Sequence, residues 1–373
     1  MRARASVVAV LASALLAPAA KASIVPAPLP ALQQARAALA GLTSGAAGSR
    51  KLGAATAASL WIDPSDIAAP PGGKAVFADT RRALIDLEPQ LATGTPPHAV
   101  TKAETLILAA DRRLAEHAIQ EAIRGAGGLV FRARGMVLSG DRWAQTSRVD
   151  LAAEQYGSAW LDAFGALTPL AVTPAENVPP TALATAAENA LANGRIAFSS
   201  VRSISNQPPL TALGKPEVLL AATDSCPACE MESWAVVEAL SQFGVFADLQ
   251  LSQSAPTRRP LVRGLSFRDA GYGSPYVAFA IGKPSSNVPL PSVDVASKFA
   301  DVGSPTPPSI AGGLSWTKLA GSLSRPKTPS GQAIDGTAEL LTAEICDVTG
   351  GAPAEVCGTA AVQGYQKRLP PAS

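Results

Sequence analysis

Residues 218–229 read VLLAATDSCPAC, an apolar run followed by two cysteines that are separated by two residues. The short apolar run predicts a buried strand, and apolar residues after the cysteines recur at helical spacing. The CxxC spacing places both sulfurs in the first turn of that helix, near enough to bond. The stretch therefore predicts a strand, a dithiol and a helix in that order.

The dithiol of Cys226 and Cys229 is the candidate catalytic site. Unpaired backbone N–H groups and the helix dipole stabilise a thiolate at the outer cysteine, Cys226, which is expected to attack a substrate disulfide. Cys229, one turn deeper, is expected to resolve the mixed disulfide. A CxxC pair can also be half of a metal site, but the strand before it and the helix after it favour redox chemistry.

The first residues predict export. Arg2 and Arg4 precede an almost wholly apolar stretch at residues 6–20, and Ala20 and Ala22 are the small residues that a signal peptidase reads. We expect a signal peptide at 1–22 that is cleaved after Ala22, so that the protein is secreted or extracytoplasmic. An uncleaved signal would anchor it in the membrane. Four cysteines, an even number, suit an oxidising compartment.

The composition supports folded domains and argues against nucleic acid as a partner. Hydrophobic residues make up 47% of the chain, which is enough for sizeable cores in a chain long enough for two domains. The 31 basic and 29 acidic residues nearly balance, and neither sign forms long runs. Aromatic residues are scarce, so neither a basic footprint nor a stacking platform for bases is visible.

The residues around and beyond the dithiol carry a family resemblance. The segments are GKPEVL (214–219), CPAC (226–229), WAVV (234–237), ALSQFG (239–244), SPYV (274–277) and GLSW (313–316). Together, over residues 214–357, they resemble the actinobacterial and archaeal family called domain of unknown function 929. The resemblance implies a thioredoxin-like fold and no established substrate. The family usually has an aromatic residue before the second cysteine and an arginine before the tryptophan, where this chain has Ala228 and Ser233.

The expected fold class is α/β, a thioredoxin-like domain preceded by a mainly helical region. The expected boundaries are 1–22 for the signal peptide, 23–73 for an Ala/Pro-rich linker with one helix, 74–205 for a helical domain, 206–358 for the thioredoxin-like domain and 359–373 for a tail. Four helices are expected in the helical domain, with a short hairpin formed by residues 128–131 and 136–138. Strands are expected at 217–222, 246–251 and 276–281.

By similarity, the candidate substrate-binding residue is Pro291, in the segment LPSVDV at residues 290–295. A thioredoxin-like site has a cis-proline that faces the dithiol, where the preceding backbone can pair with an extended substrate segment. Pro289 competes for this role. The resemblance therefore predicts a strand after Pro291 that lies beside the dithiol.

The sequence also bears on the direction of the redox reaction. Thioredoxins bury a carboxylate in the strand before the dithiol, and this chain has Leu220 at that place. Deprotonation of Cys229 would then fall to water, to Asp224 or to Glu230, whose negative charge opposes ionisation of a neighbouring thiol. We therefore expect oxidation or isomerisation of disulfides rather than fast reduction.

A second cysteine pair, Cys346 and Cys357, is expected to form a structural disulfide. Helical spacing places Cys346 near the end of the last helix, and the chain can turn back through glycines toward Cys357. An alternative is a relay that passes electrons between the CPAC dithiol and a partner. Zinc held by all four cysteines fits poorly because a second close CxxC is missing. We expect no metal and no cofactor.

Two classes of function remain open. The first is an exported thiol-disulfide oxidoreductase whose partners are exported protein thiols or disulfides, with a membrane redox partner as a candidate electron carrier. The second is a non-catalytic extracytoplasmic binding or scaffold protein in which the helical region docks a partner and CPAC is an inert disulfide. The two classes make opposite forecasts for the substitution Cys226→Ser.

Overall fold

The structure is a computed structural model of the chain. It describes residues 26–42, 45–91, 97–125, 127–223, 226–284, 288–325 and 327–371. The predicted signal peptide at 1–22 and the candidate base Asp224 lie outside these residues.

The first half of the described chain is mainly helical. Its elements are α1 (Pro28–Ala40), α2 (Ala46–Ala55), β1 (Trp61–Asp63), β2 (Asp66–Ile67), α3 (Gly72–Leu91), α4 (His98–Ala122), α5 (Gly127–Gln145), α6 (Val149–Glu176) and α7 (Pro180–Ala192). Strands β1 and β2 pair as a short antiparallel hairpin. Helix α4 shows why these segments are helical: Val100, Ala103, Ile107, Ala110 and Leu114 recur on one face, and that face is buried.

The segment predicted as a linker with one helix is more ordered than expected. It contains both α1 and α2, and Leu32, Leu39 and Leu52 on these helices are fully buried. Alanine-rich composition suggested a linker, but alanine is also the strongest helix former and permits close helix contacts. The description of 23–73 as a linker is therefore corrected for its described part, where α1 packs on α4 and α2 packs on α3.

The hairpin predicted at residues 128–131 and 136–138 is wrong, because both segments lie within the single helix α5. Val130, Ala133, Val137 and Gly140 recur three or four residues apart and are buried. That face packs on α6. The two apolar runs are seven residues apart, which is two helical turns, and this spacing places them on the same face of a helix.

The second half contains a mixed sheet and the helices that cover it. Its elements are β3 (Val201–Ser203), β4 (Thr211–Ala212), β5 (Lys215–Ala221), α8 (Pro227–Ser241), β6 (Val245–Ala247), β7 (Gln250–Gln253), β8 (Arg263–Ser266), β9 (Gly271–Gly273), β10 (Ala278–Gly282), β11 (Ser292–Val295), β12 (Phe299–Val302), α9 (Trp316–Ala320), α10 (Pro329–Val348), α11 (Ala354–Cys357) and α12 (Ala360–Gln366). The mixed α/β class expected from the sequence is confirmed.

The main sheet has the strand order β10-β5-β11-β12-β3, and the short β4 also pairs with β5. Strand β10 runs parallel to β5, whereas β11, β12 and β3 follow as antiparallel neighbours. The strand before the dithiol thus has a parallel neighbour on one side and an antiparallel hairpin on the other. Because β3 belongs to this sheet, the sheet begins at Val201, before the expected boundary at residue 206.

The single strand expected at 246–251 is replaced by two strands that are not part of the main sheet. Asp248 has a φ of +59°, in the left-handed region, and the backbone turns there between β6 and β7. Strand β6 pairs with β9, and β7 pairs with β8. The crossover from β5 to its parallel partner therefore includes α8 and two small antiparallel pairs, and it ends in β10, which overlaps the strand expected at 276–281.

The two halves share one continuous buried cluster. Helix α7 packs on α10, and α6 contacts both α8 and α9. The predicted tail also contributes, since Tyr365 on α12 is buried and its hydroxyl donates a hydrogen bond to Ala187 O at 3.0 Å. Among the described helices, none combines the length and the apolar character required to cross a bilayer.

Two glycines on α5 give a matched test of the helix packing. A Cβ at Gly140 would lie 2.5 Å from Tyr156 Cε1, whereas a Cβ at Gly135 would meet nothing within 4 Å. Gly140→Ala should lower the free energy of unfolding by about 1–3 kcal/mol because of overpacking. Gly135→Ala should raise it by about 0.5–1 kcal/mol because alanine favours the helix. Chemical denaturation measures both, and equal effects of the two substitutions would contradict this packing.

Candidate dithiol site

Cys226 and Cys229 are bonded to each other at the start of α8. Cys226 is the N-cap residue, and its Sγ accepts a hydrogen bond from the backbone N–H of Cys229 at 3.1 Å. Cys226 is half-buried and Cys229 is buried. The two sulfurs therefore differ in access and in backbone environment, as the spacing of the cysteines predicts.

The candidate substrate-binding residue lies close to the outer sulfur. The Leu290–Pro291 peptide bond is cis, and Sγ of Cys226 lies 3.9 Å from the carbonyl oxygen of Leu290. Strand β11 begins directly after Pro291 and pairs with β5, the strand that leads to the dithiol. The structure therefore brings Cys226, Cys229 and Pro291 together, while a role of Pro291 in binding substrate stays a prediction.

Helix α8 is held against the small β7–β8 pair. Trp234 Nε1 donates to Arg263 O at 2.8 Å, and the backbone N–H of Leu265 donates to Ser233 Oγ at 2.8 Å. Between these two contacts, a Cβ at Gly264 would collide with the Glu230 carboxylate. The absence of a side chain at Gly264 lets β8 approach the first turns of α8.

The inner cysteine opens onto a cleft of about 380 Å³ between α8, β8 and the end of β10. Its lining includes Cys229, Glu230, Ser252, Ser266, Arg268 and Ile281. The hydroxyl of Ser252 donates a short hydrogen bond to the Glu230 carboxylate. Glu230, one of the candidate bases for Cys229, thus lines the same cleft as the cysteine whose proton it would accept.

A second cleft, of about 650 Å³, adjoins the first between the helical half and strand β7. Both clefts are lined by Ser252, Ser266 and Arg268. Pro70, Phe164 and Pro256 contribute apolar surface to the larger one. The surface beside the dithiol therefore continues into the space between the two halves of the molecule.

Buried acidic side chains lie behind the dithiol helix, and they are absent from the site residues predicted from the sequence. Burial, together with the negative charge of Asp301, raises the pKa of Glu232 to about 8, although the Ser304 hydroxyl donates to this carboxyl at 3.0 Å. Burial raises the pKa of Asp301 to about 7. Asp301 on β12 and Glu344 on α10 are neighbouring buried carboxyl groups, and the charge of Asp301 adds to burial in raising the pKa of Glu344.

A second acidic pair lies further along the same two helices. Glu238 on α8 and Asp335 on α10 interact through their carboxyl groups, and burial raises the pKa of Asp335 to about 7. The backbone N–H of Ser324 donates to Asp335 at 3.2 Å. The interface between α8 and α10 therefore encloses acidic side chains whose raised pKa favours the protonated form, in addition to its apolar contacts.

A signal for these acids exists in the sequence. Residues 234–240 of α8 read WAVVEAL and are apolar on all sides of the helix apart from Glu238. A helix that is apolar all round is buried, so its acidic residues must be buried with it. The same reasoning applies to α10, where Glu339 and Glu344 are buried among aliphatic residues.

The second cysteine pair forms a separate disulfide. Cys346, near the end of α10, is bonded to Cys357 at the end of α11, with a Cα–Cα distance of 5.4 Å. The chain turns back through Gly350 and Gly351 between them, as expected. Both sulfurs are buried, and all four cysteines of the chain are disulfide-bonded.

The described chain is thus a mixed helix-and-sheet protein in which a CxxC disulfide begins a buried helix after a sheet strand. A family model described as "Domain of unknown function (DUF929)" matches residues 201–290, which confirms the family resemblance for this segment. The match begins at β3, includes the dithiol and ends just before Pro291. It does not reach Cys346 or Cys357. No curated protein and no solved structure matches the chain.

The acids at the α8–α10 interface predict that stability depends on pH. In the folded protein Glu232 and Asp301 keep their protons up to about pH 8 and about pH 7, whereas in the unfolded chain they lose them near their ordinary values. Between the ordinary values, 4.5 for Glu232 and 3.8 for Asp301, and these raised values the folded state binds more protons. The free energy of unfolding should therefore be highest below about pH 4, fall as pH rises from there to about 7 to 8, and level off above.

Denaturation of the oxidised protein across this pH range measures the effect. Glu232→Gln, which stays neutral and keeps a hydrogen-bond acceptor for Ser304, should flatten the decline. The matched control Glu88→Gln, on an exposed part of α3, should leave the decline unchanged. A stability that rises from acidic to neutral pH in the unmodified chain would contradict the assigned burial of these acids.

Removal of the second disulfide should mainly affect stability. The double substitution Cys346→Ala with Cys357→Ala opens a short loop at the end of α10 and should lower the free energy of unfolding by about 3 kcal/mol. In this double variant, the rate at which reduced Cys226 reacts with a small disulfide, measured at a temperature below the unfolding transition, should equal the rate in the unmodified chain. A loss of exchange without a loss of stability would instead support a relay.

Proposed function

We propose that the protein is an exported thiol-disulfide oxidoreductase that oxidises or isomerises disulfides in client proteins. The observation that carries the proposal is the pair of unequal cysteines at the start of α8. Cys226 is half-buried, and its Sγ accepts a hydrogen bond from the backbone N–H of Cys229. Cys229 lies one turn further along the helix and is buried. A nucleophile needs access and thiolate stabilisation, and a resolving thiol needs neither until the mixed disulfide forms.

The proposal includes a thioredoxin-like fold for the sheet-containing half. A thioredoxin-like sheet pairs the strand before the dithiol with a parallel crossover strand on one side and an antiparallel hairpin on the other. The order β10-β5-β11-β12 and the strand directions support this assignment. Further support comes from the position of Leu290 and Pro291 next to Cys226, directly before β11, and from α10, which packs on the dithiol helix.

The proposed reaction is a two-electron exchange. A client thiolate attacks Sγ of Cys226, the Cys226–Cys229 bond breaks, and Cys229 leaves as a thiolate that takes up a proton. A second client thiolate then attacks the client sulfur of the mixed disulfide and releases Cys226, so the client is oxidised and the dithiol is reduced. A membrane redox partner that carries a disulfide would accept the two electrons and restore the Cys226–Cys229 bond.

The surroundings of the sulfurs favour oxidation or isomerisation. The place of a thioredoxin's buried strand carboxylate is taken by the buried Leu220. The N–H of Cys229 and the N-terminal end of α8 both stabilise Cys226 as a thiolate, the form it takes when it leaves a mixed disulfide. Stabilising the reduced dithiol in this way makes the disulfide a better oxidant.

The clients proposed are exported proteins with thiols or disulfides. The cleft at Cys229 and the larger cleft that adjoins it offer serine hydroxyls, Arg268 and apolar walls. An unfolded client segment presents backbone groups and apolar side chains, which such a mixed surface can hold. Export itself rests on the expected signal peptide, and two disulfides in the chain suit an extracytoplasmic place.

Trapping of clients tests the proposal. In Cys229→Ser, Cys226 can attack a client disulfide but no resolving thiol follows, so mixed disulfides should accumulate and be visible as reducible high-mass adducts. Cys226→Ser should form none and should lose oxidative refolding activity on a reduced test protein. After reduction of the unmodified chain, iodoacetamide at mildly acidic pH should label Cys226 before Cys229.

The variant with Cys346→Ala and Cys357→Ala is the matched control, since it also lacks one disulfide but keeps CPAC. It should behave as the unmodified chain toward clients. Equal labelling of Cys226 and Cys229, or a Cys229→Ser variant that forms no adducts where its clients reside, would reject the catalytic proposal. The binding or scaffold function, with CPAC as an inert disulfide, would then take its place.

A further inference from the structure

Helix α5 carries apolar and basic side chains in one line on its outer face. Phe131, Arg134, Leu138 and Arg142 follow each other at intervals of three or four residues, so they lie in one stripe along the helix. We call these four residues the α5 stripe. The opposite face of α5, with Val130, Ala133 and Val137, is buried against α6.

The apolar members of the stripe are unusually exposed for a globular protein. Phe131 is 79% exposed and Leu138 is 59% exposed, and Ile123 and Trp143 beside the two ends of α5 are exposed as well. A single exposed apolar residue is ordinary, but several on one helix mark a surface that is covered part of the time. Covering Phe131 and Leu138 would remove apolar area from water.

The charged side chains of this face that form no ion pair are basic. Asp141 and Asp162 are the nearby acids of the packed helices, and they are engaged by Arg112 at 2.8 Å and by Arg132 at 2.5 Å. Neither Arg134 nor Arg142 forms an ion pair within the described part of the chain. The stripe therefore combines exposed apolar groups with two unneutralised guanidinium groups.

We propose that the α5 stripe docks the protein on an anionic lipid surface. Phe131 and Leu138 enter the boundary between headgroups and acyl chains, and Arg134 and Arg142 contact lipid phosphates. A second copy of this chain is a poorer occupant, because a two-fold interface would place the same arginines opposite each other. This proposal is independent of the dithiol chemistry.

Co-sedimentation of the full chain with vesicles tests the proposal. Binding to vesicles of equal phosphatidylglycerol and phosphatidylcholine should exceed binding to pure phosphatidylcholine and should weaken with salt. Phe131→Ser with Leu138→Ser should reduce binding about tenfold or more, since two apolar contacts are lost. Arg134→Gln and Arg142→Gln should each reduce it about fivefold. Leu213→Ser and Val245→Ser remove side chains that are 93% and 73% exposed elsewhere, and these controls should bind as the unmodified chain does.

A second measurement keeps the test valid if another segment of the full chain also binds lipid. A Phe131→Trp variant should gain fluorescence that brominated phosphatidylglycerol quenches, whereas the fluorescence gained in Leu213→Trp should not be quenched. Equal quenching of the two variants would overturn the proposal. It would also fail if the double serine variant bound normally, or if the stripe substitutions abolished a dimer seen by light scattering while vesicle binding was unaffected.

Discussion

The burial of helix α8 is the constraint on which the rest of the structure depends. Its first turn must present one sulfur to the surface while its remaining residues are enclosed by α10, α6 and the β7–β8 pair. Trp234 and Ser233 fix the helix to β8 through two hydrogen bonds, and Gly264 permits the close approach. Because the helix cannot shift against these contacts, the positions of Cys226 and Cys229 relative to Leu290 are determined by core packing.

This enclosure explains the unusual chemistry of the interface between α8 and α10. Glu232, Glu238 and Glu344 lie where apolar residues would be expected, and transfer of an ionised carboxylate to such a site is costly. Protonation removes most of that cost, and burial raises the pKa of each of these carboxyl groups. The interface thus mixes acidic and apolar side chains, and protonation of the acids lets them be enclosed with little net charge.

The sequence predicted best those features that depend on residues close together in the chain. The spacing of Cys226 and Cys229 and the strand before them predicted the start of α8, and the glycines after Cys346 predicted the second disulfide. Predictions were wrong or missing where contacts between distant segments determine the secondary structure or the burial of a residue. Residues 128–138 form a helix because α6 accepts their small residues. Asp248 divides a predicted strand through a backbone turn that periodicity cannot reveal. The buried acids depend on which helices meet, although the all-round apolar pattern of α8 indicated that it would be enclosed.

The neutral acids also bear on the proposed redox chemistry. Glu232 follows Cys229 by three residues on α8, so an ionised carboxylate there would lie about one helical turn from the inner cysteine. An ionised Glu232 would disfavour a thiolate there. With a pKa of about 8 it is mainly protonated at neutral pH, so Glu232 adds no negative charge against the stabilisation that the helix dipole and the Cys229 N–H give to the sulfur of Cys226. The burial that enforces the geometry of the sulfurs therefore also protects the charge that the proposed reaction places on Cys226.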